Sequence, residues 1–158
     1  KKLAGILKYE YTIDPHKFIS IIGPYLKEFR EAMIEWYACK DVSKIEVKTA
    51  WVNYMKAGEF NPPHVHGGCD FSSVIFLDIP EELKKENKEY VGTAAGPGSL
   101  QFMSGESLDY TINQKTFFPA KGDFFMFAAT LRHLVYPFQS NIERVSIAAN
   151  FKVEIVDK

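Results

Sequence analysis

The chain has 158 residues, 46% of them hydrophobic and 15% aromatic, and its formal net charge is −1. Such a length and composition predict one globular domain with a sizeable core, and mixed charges without a basic stripe argue against a nucleic-acid or anionic-membrane footprint. No apolar run approaches the roughly 18 residues needed to cross a bilayer, and two cysteines, Cys39 and Cys69, fit free thiols in a reducing compartment better than a disulfide scaffold.

In chain order, the first ten residues, with Leu3, Ile6 and Leu7 among lysines, predict a short strand. Asp14-Pro15 reads as an N-cap followed by proline at the first helical position. Phe18, Ile22, Tyr25, Leu26, Phe29, Met33, Trp36 and Tyr37 then recur at helical spacing, which is one apolar stripe. Gly23-Pro24 interrupts it and predicts two helices or a kink. From Ile45 the texture alternates, through Trp51-Val52-Asn53-Tyr54 to a bend at Asn61-Pro62-Pro63. Ser73 to Leu77 predicts a buried strand, and residues 81–89 a charged, exposed stretch. A glycine-rich loop follows, then short strands over Leu100–Met103, Tyr110–Ile112, Phe124–Phe127, Leu134–Tyr136 and Val145–Val153. This order predicts a barrel or sandwich with helices on one face. The expected division is a single domain over 1–158, with an N-terminal strand and helices over 1–44 and a β-core over 45–158.

The chain has four histidines, and two of them form His64-x-His66. Residues at i and i+2 of a strand share a face, so two imidazoles after a Pro-Pro bend can hold one cation. His133, at another strand edge, supplies a third donor. Three donors on one side of an ion leave positions open for substrate, a catalytic rather than a structural arrangement. The pair alone is weak evidence, because histidines near a proline turn are common on surfaces. His16, in the first turn of the predicted helix, reads as a solvated residue.

Arg144 to Phe151 sharpens the case. Alternation puts Arg144, Ser146, Ala148 and Asn150 on one face and Val145, Ile147, Ala149 and Phe151 on the other. The second face is core. The first is small and polar with one cation, so it can admit a ligand carrying a carboxylate, bound by Arg144 with help from Ser146. On this strand alone a surface arginine is an equal reading. Arg144 lies eleven residues past His133, the length of a strand, a turn and a return strand, which sets both in one cavity.

At this point the chain resembles the 2-oxoglutarate/Fe(II)-dependent oxygenases, in particular a prolyl-hydroxylase-like branch of marine microbial and phage type. The resemblance rests on Trp51-Val52-Asn53 through His64-Val65-His66-Gly67-Gly68 to Ser73–Leu77, on Phe118-Pro119-Ala120-Lys121-Gly122-Asp123, on His133-Leu134-Val135-Tyr136-Pro137 and on Glu143-Arg144-Val145-Ser146. Together these span about residues 45–152. The resemblance implies a mainly β double-stranded β-helix, or jelly-roll, with the N-terminal helices packed on one sheet and a metal at the mouth of the barrel. It implies Fe(II) as the ion at the histidine site, and 2-oxoglutarate with its distal carboxylate on Arg144 and Ser146. Asn53 and Tyr54 are further candidates to reach the co-substrate. Oxidative decarboxylation to succinate and carbon dioxide would then drive hydroxylation of a C–H bond, with ascorbate as an expected support of activity. Phe76, Phe125, Phe127 and Tyr136 are candidates to wall a dry cavity, each also consistent with plain core packing.

Most such enzymes use two histidines and one carboxylate, and here three assignments stay open. The leading one is all-histidine. A second takes His66, Asp70 and His133, and needs a bulge between the first two. A third reads His66-Gly67-Gly68 as the H-x-G of relatives that halogenate. Two other functions compete with the hydroxylase: a three-histidine thiol dioxygenase of cupin type, which needs no Arg144–Ser146 clamp, and a non-catalytic metal-binding jelly-roll. The expected substrate is a small molecule or a peptide, a prolyl residue by analogy, with the loop from Glu82 to Gly105 as lid or rim. No nucleic-acid or membrane partner is expected. The expected location is cytoplasmic, although a sequence starting at Lys1 leaves a removed targeting segment open.

Overall fold

The computed structural model describes residues 5–106 and 108–157. In chain order the elements are β1 (Tyr9–Ile13), α1 (Pro15–Trp36), β2 (Asp41–Lys56), β3 (Asn61–His64), β4 (Phe71–Asp78), α2 (Glu81–Glu89), β5 (Leu100–Met103), β6 (Gln114–Phe117), β7 (Phe124–Ala128), β8 (Arg132–Val135) and β9 (Glu143–Val156). They form a five-stranded sheet, β1-β2-β9-β4-β7, and a four-stranded sheet, β3-β8-β5-β6. All pairings are antiparallel. From β2 onward the chain passes back and forth between the sheets, which is the winding of a double-stranded β-helix. The expected jelly-roll is therefore the observed fold.

Asp14 caps α1: its carboxylate accepts from the His16 amide at 2.9 Å, and Pro15 opens the helix. The expectation of two helices is corrected, since α1 runs unbroken through Gly23-Pro24. Pro24 removes one backbone donor, but Phe18 and Ile22 before it and Met33 after it are all buried against the larger sheet. Packing on both sides outweighs the one lost bond. His16 is exposed, as expected.

Other boundaries shift for reasons of pairing. The first described strand lies at Tyr9–Ile13, where it can pair with β2, and Ile6 makes only an isolated bridge to Phe60. Leu3 lies outside the described residues. β2 begins at Asp41 rather than Ile45, with irregularities between Val42 and Lys44 and between Val47 and Thr49 that break its alternation. The strand expected at Tyr110–Ile112 is instead β6, because β5 fixes the register Met103↔Gln114 through Leu100↔Phe117. Tyr110 takes a left-handed φ of 63° in the connecting loop.

The alternation of β9 divides two environments. Ile147, Ala149 and Phe151 pack with Phe18 and Ile22 of α1 on the outer face of the larger sheet. Arg144, Ser146, Ala148 and Asn150 face the space between the sheets. Register adds Asn53 and Phe76 beside Ser146, and Trp51 and Val74 beside Ala148. Met55, Phe76, Leu83, Leu100, Val135 and Phe138 fill one end of that space as an apolar core, leaving the other end open.

Candidate metal and co-substrate site

The metal end is built where the two sheets meet. β3 and β8 pair with His64 directly opposite His133. Two residues beyond, the His66 amide donates to the Ala129 carbonyl at 2.9 Å, which fastens that segment to the β7–β8 turn. Ligand atoms of His64, His66 and His133 all lie within 4.8 Å of one another. His64 Nδ1 donates to the Pro62 carbonyl at 2.7 Å, and His133 Nδ1 donates to the Leu131 carbonyl at 2.9 Å. A carbonyl can only accept, so each bond puts the proton on Nδ1 and leaves the Nε2 lone pair for a ligand. Nε2 of His66 and Nε2 of His133 are 3.3 Å apart. Two nitrogens held at about 2.1 Å by one ion, at octahedral to tetrahedral angles, lie about 3.0–3.4 Å apart. The donor set therefore fits a divalent first-row metal, for which imidazole is a suitable ligand.

Burial holds the His66 and His133 rings neutral. The His66 imidazole is pushed down to about 4, chiefly by desolvation and also by His64. That of His133 is likewise pushed down to about 4 by desolvation, against the opposing bond to Leu131. Free imidazole takes its proton near 6.5. Between about pH 6.5 and pH 4 the unfolded chain thus binds more protons than the folded one, and stability rises with pH. The metal-free protein is expected to lose stability as pH falls through this window, by on the order of 3 kcal/mol for His133, which is 5% exposed. Urea denaturation between pH 7.5 and pH 4.5 checks this, and a flat profile would count against buried neutral rings.

Asp70 is not part of the group. Its carboxylate accepts from Lys152 Nζ and from the Val153 amide, both at 2.9 Å, and these bonds hold its pKa below the ordinary range. Its backbone pairs with Phe151 and Ala129, so no bulge turns the side chain toward His66. Asp70→Ala is expected to leave metal stoichiometry unchanged and to lower thermal stability slightly, read by metal analysis and thermal unfolding.

A cavity of about 410 Å³ runs inward from the histidines, lined among others by Trp51, Asn53, Phe76, Phe127, Arg144 and Ser146. Arg144 is 3% exposed and Ser146 2%. Arg144 Nη1 donates to the Gly98 carbonyl at 2.9 Å, its Cζ stands 5.2 Å from the Phe76 ring centre, and its Nε has no partner. Burial lowers its pKa to about 10, so it is a cation at neutral pH. Among the described residues no carboxylate pairs with it. A buried cation with a spare donor is costly unless a ligand completes it, and a carboxylate is the matching chemistry.

Asn53 is also buried on this face, with Oδ1 unpartnered. The expectation for Tyr54 is corrected: neighbours on a strand face opposite ways, and Tyr54 stands on the other side, edge-on to Tyr11 at 5.7 Å in a surface groove with Tyr9, Lys56 and Glu143. Of the four expected aromatic walls, Phe76 and Phe127 line the cavity. Phe125 packs behind, against Phe76, Phe102 and Phe117, and the Tyr136 hydroxyl bonds Gln101. Trp51, 6.2 Å from the His66 ring, is a wall residue that the sequence reading passes over, although its two-residue spacing from Asn53 carries the signal. The segment expected as a lid carries α2, whose Leu83 is fully buried in the core at the closed end.

A family model described as "Putative 2OG-Fe(II) oxygenase" matches residues 49–150, and the chain belongs to this family. Similar solved structures include an oxidoreductase of the 2OG-Fe(II) oxygenase family from Burkholderia pseudomallei (16% identity, TM-score 0.58, 91% of this chain and 64% of that one). Two others are a Pseudomonas putida prolyl-4-hydroxylase (16%, 0.56, 90% and 70%) and a viral collagen prolyl hydroxylase from Paramecium Bursaria Chlorella virus-1 in complex with 2OG (16%, 0.57, 90% and 76%). The likeness at this identity is one of fold, and the chain spans under two thirds of the Burkholderia protein's length. No curated protein matches the chain in sequence. Among the described residues no helix is long and apolar enough to cross a membrane.

Proposed function

We propose that the chain, as one oxygenase domain, hydroxylates a C–H bond of an organic substrate, with Fe(II) on His64, His66 and His133 and the distal carboxylate of 2-oxoglutarate on Arg144 and Ser146. The observation that carries this is one cavity with three converging imidazoles at its mouth and a buried arginine, lacking an anionic partner among the described residues, at its inner end. Bound iron would supply the activation of oxygen and the oxidative decarboxylation of the co-substrate. The protein's own tasks are positional. The carbonyls of Pro62 and Leu131 aim two of the imidazoles, Arg144 and Ser146 fix one end of the co-substrate, and Trp51, Phe76 and Phe127 keep water from its length. Ala148, opposite Trp51 in the sheet, leaves the room that a larger side chain would fill.

A small-molecule or peptide substrate suits the open mouth, and a prolyl residue of a peptide is the reading favoured by the names of two structural neighbours. The test is release of succinate from 2-oxoglutarate with Fe(II) and ascorbate, then its stimulation by proline-containing peptides. Absence of both succinate and calorimetric binding of 2-oxoglutarate would overturn the oxygenase reading, whereas succinate without peptide stimulation would remove only the prolyl substrate.

A further inference from the structure

We propose that the turn at Pro97-Gly98-Ser99, held by Asn87 of α2, positions the Arg144 guanidinium and so gauges the length of the 2-oxo dicarboxylate that the cavity accepts. The proposal rests on reading Arg144 as the co-substrate clamp. Its ground is the hydrogen-bond pattern behind that arginine. Nη1 is committed to the Gly98 carbonyl at 2.9 Å, and Phe76 lies against the guanidinium. One arm of the fork is therefore pinned from the closed end of the barrel, and Nε is left without a partner. The planar fork moves as a unit, so the position of the Gly98 carbonyl sets how far the remaining donors reach toward the histidines.

That carbonyl is itself held from several sides. Asn87 Nδ2 donates to the Pro97 carbonyl at 2.8 Å and to Ser99 Oγ at 3.2 Å, bracketing Gly98. The Gly98 amide donates to the Tyr136 carbonyl at 3.2 Å, and the Tyr136 amide returns a bond to Ser99 at 3.0 Å. Gly98 has a φ of +74°, and a Cβ there would meet Leu83 side-chain carbons at 2.9–3.2 Å. Only glycine suits both the backbone conformation and the close approach. Glu86, on the same helix, accepts from the amides of Gln139 and Ser140 at 2.8 Å and fastens α2 to the segment leading into β9. These contacts make α2 a fixed backstop for Arg144.

The experiment uses the protein loaded with Mn(II) as a redox-stable stand-in for iron, and calorimetry with 2-oxoglutarate and with 2-oxoadipate, one methylene longer. Asn87→Leu removes the two donated bonds at similar volume, and Gly98→Ala strains the turn itself, so one variant serves if the other fails to fold. The expected result is that wild type prefers 2-oxoglutarate, that either variant binds it roughly fivefold to tenfold more weakly, and that the preference over 2-oxoadipate narrows or reverses while Mn(II) affinity holds. An unchanged ratio, whether or not both affinities fall in parallel, overturns the gauge, because general loosening weakens both ligands alike. Arg144→Met separates the two levels: if it keeps wild-type affinity for 2-oxoglutarate, the clamp itself is wrong, whereas its loss beside an unchanged ratio in the other variants defeats the gauge alone.

Discussion

His133→Ala is expected to empty the metal site and to reduce succinate release from 2-oxoglutarate to background. His133 is the most buried of the three histidines, and both of its ring nitrogens have a task, Nδ1 on Leu131 and Nε2 beside Nε2 of His66. Without it, His64 and His66 face each other across an open side, and two imidazoles on one short segment form a weak site. Loss of an orienting partner alone costs roughly 10- to 100-fold in metal affinity, and loss of the ligand should exceed that. The substitution also removes a ring packed 4.6 Å from Phe127, so folding is followed by circular dichroism and thermal unfolding beside metal analysis. Asp70→Ala provides the contrast, because its carboxylate is spent on Lys152 and Val153. A folded His133→Ala protein that retains stoichiometric metal, or an Asp70→Ala protein that loses it, would move the centre away from the three histidines.

The parts of this molecule legible in its sequence are those governed by short-range periodicity. Alternation in β9 separates Arg144, Ser146, Ala148 and Asn150 from Ile147, Ala149 and Phe151, and the two sets do face the cavity and α1. His64-x-His66 likewise announces two donors on one short segment. What the sequence cannot carry is register and tertiary override. Pro24 signals a break that burial of Phe18, Ile22 and Met33 overrides. The apolar residues Tyr110 and Ile112 look like strand but stand in solvent, because pairing with β5 begins only at Gln114. Tyr54 illustrates a different failure: the alternation that admits Asn53 already excludes its neighbour. The role of Gly98 was beyond reach, since it acts through a carbonyl, and no side-chain pattern reports where a backbone oxygen will meet an arginine 46 residues away.

Arg144→Met should weaken binding of 2-oxoglutarate to the metal-loaded protein while making the ligand-free protein more stable. The two effects have one cause. Arg144 is buried with a single hydrogen bond to Gly98 and an unpartnered Nε, and desolvation alone lowers its pKa to about 10. The free protein therefore carries the cost of a dehydrated cation that no carboxylate offsets. Methionine fills similar space without charge, and replacing buried ionic groups by apolar ones stabilises by about 1–4 kcal/mol in comparable cases. For a chain of this length each kcal/mol raises Tm by about 2–4 °C. The ligand reverses the balance. Truncating one partner of a buried charge pair costs about 2–5 kcal/mol, so the dissociation constant should rise about 30-fold or more. At a hundred times its dissociation constant, 2-oxoglutarate stabilises wild type by about 2.7 kcal/mol, a shift that the variant at the same concentration should largely lack. Thermal unfolding of both metal-loaded proteins, with and without 2-oxoglutarate, reads the crossing directly: the variant melts higher without co-substrate, and wild type gains more from its addition. An equal gain in the variant would mean that the co-substrate carboxylate is held elsewhere, and that the cation at the closed end of the barrel serves some other anion.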